Sequence, residues 1–211
     1  MRQRRIKNQE EKIEALSEYI VSDPKDKKGS WEAYSQGKEL FLEIGCGKGQ
    51  FITEMARKYP DRRFLAVEGA EGVVLRALQK AKEKDVKNVL FITEYIYELT
   101  DYFEAGEVAG IYLNFSDPWP KDRHAKRRLT HRNYLQSYRQ ILLPGSFIEF
   151  KTDNDDLFSF SLAEFAACGM EIVECTDDLH HSEYMQDNVL TEYEEKFSKL
   201  WKKINYCKVR V

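Results

Sequence analysis

The chain has 211 residues, of which 42% are hydrophobic and 33% charged, and a formal net charge of −3. That length suits one domain around a large core, and the balance excludes both a disordered chain and a membrane-embedded one. Four scattered cysteines (Cys46, Cys168, Cys175 and Cys207) without a Cys-x-x-Cys pair, and adjacent His180 and His181, predict neither a disulfide framework nor a metal site.

Residues 1–38 are polar and read as an N-terminal arm with one short helix over 8–20, where Ile13, Leu16 and Ile20 recur at helical spacing. Asp23-Pro24 and Gly29 then break the chain. From residue 39 to 211 strands and helices alternate. Strands are predicted at 39–44, 63–67, 89–93, 108–115, 147–152, 171–175 and 204–211. Helices are predicted at 50–59, 71–84, 99–103, 132–142 and 155–167, with a polar loop at 116–129 and a long excursion at 176–203. Such alternation with short connections implies an α/β fold, a mostly parallel sheet covered by helices on both faces. Ligands of such sheets sit at the carboxyl ends of the strands. No apolar run could span a bilayer. The opening Met-Arg-Gln-Arg-Arg lacks the apolar centre of a secretory signal, so a cytoplasmic location is expected, as a monomer or homodimer.

The first strand runs into Glu43-Ile-Gly45-Cys-Gly47-Lys-Gly49. Gln50 breaks the dinucleotide pattern Gly-x-Gly-x-x-Gly, and the spacing is wrong for a phosphate loop. An acid ahead of the glycines repels pyrophosphate and suits a cationic ligand. Glu68, ending the second strand, is placed to accept hydrogen bonds from ribose hydroxyls. Together Glu43, Gly45, Gly47 and Glu68 point to an S-adenosylmethionine pocket.

The fourth strand feeds Ser116-Asp117-Pro-Trp119-Pro-Lys121, a turn stiffened by two prolines. From Lys121 to Arg132 come six cations, two histidines and one acid, Asp122, a balance that predicts contact with RNA phosphates. Arg2, Arg4 and Arg5 are read either as a further RNA-binding arm or as a solubilising tail. Trp119 is read either as a stacking partner for a base or as an anchor of the loop. Asp153, closing the fifth strand, either faces the same rim or caps the next helix.

Five segments closely resemble the bacterial tRNA (guanine-N7-)-methyltransferases: 42–51 (LEIGCGKGQF), 112–121 (YLNFSDPWPK), 123–129 (RHAKRRL), 150–154 (FKTDN) and 191–197 (TEYEEKF). They occur in the family's order over most of the chain. The resemblance implies a Rossmann-like class I methyltransferase domain with seven strands, the last antiparallel. It implies S-adenosylmethionine as cofactor and a guanine in the tRNA variable loop as target. By position it assigns Glu43, Glu68 and Asp117 to the cofactor pocket, with Asp117 also catalytic. It assigns Lys121, Asp153, Thr191, Glu192, Tyr193 and Glu194 to substrate binding, and Arg123, His124, Lys126, Arg127 and Arg128 to RNA contact. One departure stands out: Tyr95 occupies the place where the family has an acid or amide against the adenine. Either Tyr95 stacks on the adenine, or Glu94 takes over the contact. Two rival readings remain on the sequence: methylation of another RNA base, and an RNA-binding module that has lost activity.

Overall fold

A computed structural model describes residues 8–197 and 202–211; Arg2, Arg4 and Arg5 lie outside them. The strands are β1 (Leu40–Ile44), β2 (Arg63–Val67), β3 (Val89–Ile92), β4 (Val108–Asn114), β5 (Leu142–Thr152), β6 (Glu171–Thr176) and β7 (Asn205–Arg210). They form one sheet in the order β3-β2-β1-β4-β5-β7-β6. β1 to β5 pair in parallel, and β7 runs antiparallel between β5 and β6. Strand order reverses between β1 and β4, where doubly wound sheets open a crevice.

β1 is buried at all five positions because helices cover both of its faces. Leu40, Leu42 and Ile44 join the core beneath α5 (Arg132–Ile141) and α6 (Asp155–Ala167). Phe41 joins the opposite core beneath α3 (Gln50–Lys58) and α4 (Glu71–Glu83). Two-residue periodicity therefore turns Glu43 toward the α3 side.

The segment ahead of β1 is more deeply packed than its polarity suggests. The expected helix over 8–20 stops early: α1 spans only Gln9–Glu14, and Leu16 and Tyr19 beyond it are buried. Ile20 pairs with Phe91, so the chain straightens to cover the otherwise open edge of β3. A short helix, α2 (Glu32–Ser35), follows, and Trp31 ahead of it stacks on Phe103 at 5.2 Å and donates to the Tyr102 carbonyl. β5 begins at Leu142 rather than at 147 because Leu142 pairs with Val108 before the register shifts. The stretch expected as a loop at 116–129 holds a 3₁₀ turn at Asp122–Arg127, and the 176–203 excursion holds α7 (Glu192–Phe197). Among the described residues no helix is long and apolar enough to cross a membrane.

Candidate active site

β1, β2 and β4 end side by side, and the loops that follow them enclose two adjoining cavities of about 490 and 360 Å³. Gly45 and Phe115 line both. Glu43 lines the larger with Gly47, Phe51 and Tyr193; Glu68, Tyr95, Asp117 and Trp119 line the smaller. The two acids predicted to share a cleft, Glu43 and Asp117, thus lie on either side of one boundary.

Glu43 is 2% exposed. Its Oε1 accepts a hydrogen bond from Asn114 Nδ2 at 2.8 Å, whereas its Oε2 is buried with no partner. Burial pushes its carboxyl up to about 7, partly offset by Asn114 and by the nearby Lys151 cation. A buried, unsatisfied carboxylate oxygen is costly, and a donor or cation arriving in the cleft would relieve it. Gly45 and Gly47 hold φ of 79° and 57°, and a Cβ at either would project into open space. Their backbone is therefore bare toward the cleft. Glu68 accepts from the Gly47 and Ala70 amides at 3.1 and 2.9 Å, which leaves lone pairs on both oxygens. Burial raises its pKa. An unpaired acid, a glycine-bared backbone and a strand-end carboxylate fit the ammonium, carboxylate and ribose of S-adenosylmethionine in turn.

Tyr95 is 62% exposed, and its ring lies over Gly69, where a Cβ would meet the ring at 2.4 Å. Glu94 lines the same cavity. The loop after β4 is strained, since Phe115 and Trp119 adopt φ of 51° and 42°, a region non-glycine residues rarely enter. Such strain persists only where surroundings enforce it. Phe115 stacks on Tyr193 at 4.6 Å. Trp119 meets His124 edge-on at 5.8 Å and Arg127 face-on at 4.8 Å. The 3₁₀ period of three places residues 124 and 127 on one face, which is why both reach the same indole.

Arg128, grouped with the RNA-facing cations from sequence, is buried instead. Its guanidinium donates to the carbonyls of Pro118 and Trp119, both at 3.1 Å, and lies over Phe160 at 4.4 Å. It holds the turn in place. Lys121, Arg123, Lys126 and Arg127 are exposed, His124 is half-buried, and among the described residues none of these four exposed cations forms an ion pair.

The 191–194 segment also differs from a plain surface helix end. Thr191 Oγ1 accepts from the Glu194 amide at 3.1 Å, and Glu194 Oε2 accepts from the Thr191 amide at 2.9 Å. This is a capping box at the start of α7, written in the sequence as Thr-x-x-Glu. Glu194 is fully buried, and Lys151, itself 2% exposed, donates to it at 3.5 Å and to the Val189 carbonyl at 3.0 Å. Asn188 and His180 complete the cluster. Glu194 therefore faces protein rather than a ligand. Glu192 pairs with Lys48 and Lys80, tying α7 to the glycine loop and α4. Asp153 accepts from Tyr193 Oη at 2.6 Å and pairs with Lys202. Burial opposes its ionisation, but Lys202 and Tyr193 outweigh that and hold its carboxyl below the ordinary range. The helix cap falls to Asn154, whose Oδ1 accepts from the Leu157 amide, so Asp153 serves Tyr193 and Lys202 rather than the cap.

Fold and site together define a class I S-adenosylmethionine-dependent methyltransferase. Solved structures support the fold: an antibiotic-related methyltransferase superposes with TM-score 0.63 at 14% identity, covering 93% of this chain and 98% of that one. The 16S rRNA methyltransferase KamB superposes with TM-score 0.62 at 13% identity, covering 90% and 93%. A family model described as "Putative methyltransferase" matches residues 37–207. A tRNA (guanine-N(7)-)-methyltransferase of Lachnoclostridium phytofermentans is 46% identical over 95% of this chain and 94% of its own length. One of Latilactobacillus sakei is 48% identical over 85% of each. The chain belongs to the tRNA (guanine-N(7)-)-methyltransferase family.

Proposed function

We propose that this protein transfers the methyl group of S-adenosylmethionine to N7 of a guanine in the variable loop of tRNA. The observation that carries the reading is the shared cleft: the unpaired Glu43 oxygen, Glu68 and Asp117 open beside a run of unpaired cations.

S-adenosylmethionine, when bound, supplies a methyl group activated for in-line displacement. Glu43 Oε2 would receive its ammonium, Glu68 its ribose hydroxyls, and Tyr95 its adenine face. N7 of guanine carries an in-plane lone pair and no proton at neutral pH, so attack needs no prior deprotonation. The methylated ring becomes cationic. Asp117, which lines the smaller cavity from the proline-stiffened turn, would stabilise that developing charge electrostatically. Holding base and donor in near-attack geometry supplies the rest. Lys121, Arg123, Lys126 and Arg127, with His124, would position the RNA through its phosphates, and Asp153, Thr191, Glu192 and Tyr193 would shape the rim around the base.

Incubating unmodified tRNA with labelled S-adenosylmethionine and mapping the labelled nucleoside tests this directly. Label in 7-methylguanosine is expected. Label in 6-methyladenosine would move the target to another base, and tRNA binding without transfer would leave only a binding module.

A further inference from the structure

The smaller cavity extends past the groups assigned to the cofactor. Besides Glu68, Tyr95 and Asp117 it is lined by Tyr97, Trp119, Arg127 and Tyr134, contributed by the loop after β3, the turn after β4 and the first turn of α5. Tyr97 is 77% exposed, the most of any large hydrophobic residue among those described. One exposed ring is ordinary on a protein surface. Here, however, the ring shares a cavity with a tryptophan held at positive φ and already covered on one side by a guanidinium. Unpaired cations of the 3₁₀ turn stand alongside. Aromatic faces beside unneutralised cations are what an unpaired nucleotide binds: rings for the base, cations for the phosphate. Glu98, the acid adjacent to Tyr97, is engaged by Thr100 and Ser137, while Glu94 lines this cavity with Glu68 and Asp117.

We propose that Tyr97, with Trp119 and Arg127, forms a second base subsite that takes an unpaired nucleotide neighbouring the target guanine. This rests on RNA being the methyl acceptor. Tyr95 then serves the cofactor and Tyr97 the RNA, two residues apart on one loop. Splaying a neighbour of the target onto this ring would hold the RNA backbone open and present the guanine edge to the donor.

The test uses the full chain, an unmodified tRNA transcript and steady-state methyl transfer, with calorimetry on S-adenosylhomocysteine as the second readout. Tyr97→Ala should raise the KM for tRNA on the order of tenfold, with kcat and cofactor affinity within about twofold of wild type. Tyr97→Trp should restore the KM. Transcripts made abasic at each position flanking the target complete the test: one of them should raise the wild-type KM by a similar factor, and Tyr97→Ala should then add nothing. A tRNA KM unchanged in Tyr97→Ala would overturn the subsite, and loss of cofactor affinity would reassign Tyr97 to the cofactor pocket. Failure of wild-type protein to methylate tRNA would instead sink the acceptor reading, and the subsite with it.

Discussion

Replacing Lys151 with Met removes the cation that holds Glu194 in the protein interior. Lys151 and Glu194 are 2% and 0% exposed, and the pair is 3.5 Å apart. Leaving a buried carboxylate without its cation costs about 3–5 kcal/mol. Glu194 keeps its hydrogen bonds from the Thr191 amide and Asn188, so the lower end, about 3 kcal/mol, is expected here. For a chain of this size each kcal/mol lowers Tm by about 2–4 °C, giving a drop of roughly 6–12 °C at pH 8. The sign of the pH dependence follows from Glu194. Burial alone would raise its pKa, but Lys151 and the Thr191 amide outweigh burial and keep it lowered. A depressed native pKa stabilises above the ordinary carboxylate range, and that stabilisation is lost as pH falls through the lowered value. In Lys151→Met the largest lowering influence is gone while the Thr191 and Asn188 hydrogen bonds remain, so Glu194 takes up a proton more readily and the deficit against wild type should shrink toward pH 5. Adding Glu194→Gln should recover most of the loss at pH 8, because the carboxylate left without its ion-pair partner is then removed. Thermal and urea unfolding followed by circular dichroism read all three variants. A Tm within 2 °C of wild type in Lys151→Met, or a double variant no better than the single, would refute the buried-pair reasoning.

Other expectations concern the cleft itself. Burial raises the Glu43 carboxyl to about 7, so ionising it is opposed in the ligand-free fold, and stability should decline as pH rises from the ordinary carboxylate range through about 7. Cofactor affinity should rise over the same interval, and Glu43→Gln should weaken binding about tenfold at pH 8 and flatten the profile, measured by calorimetry. Asp117→Ala should lower kcat on the order of 100-fold while tRNA affinity stays within about twofold, read by single-turnover methyl transfer and filter binding. Arg127→Ala should weaken tRNA binding and reduce its log–log salt slope by about 0.7–0.9, whereas Arg128→Ala should chiefly lower Tm because the Pro118 and Trp119 carbonyls lose their donor.

The alternation of elements from residue 39 onward was legible because each strand and helix carries its own periodicity, and the strand-end rule then pointed to Glu43, Gly45, Glu68 and Asp117. Glu43 and Asp117 could be brought together on that rule alone. The segment before β1 was misleading because its few apolar residues are spread among charges while Leu16 and Tyr19 join one core and Val21 and Trp31 the other. Arg128 was indistinguishable from Arg127 in a basic run, since only the tertiary position of Pro118 and Trp119 gives one of two adjacent arginines a buried task. Glu194 is different. Thr191-x-x-Glu194 carries a helix-start signature that can be read directly, and the acidity of the stretch obscured it. The Lys151 contact could not be foreseen, because it joins positions 43 residues apart through the 188–194 segment.

A crystal structure with S-adenosylhomocysteine bound tests the shared cleft most directly. The ammonium should lie within about 2.7–3.2 Å of Glu43 Oε2, with the sulfur turned toward Asp117. An amino-acid end bound away from Glu43, or a sulfur screened from Asp117 by the protein, would contradict it.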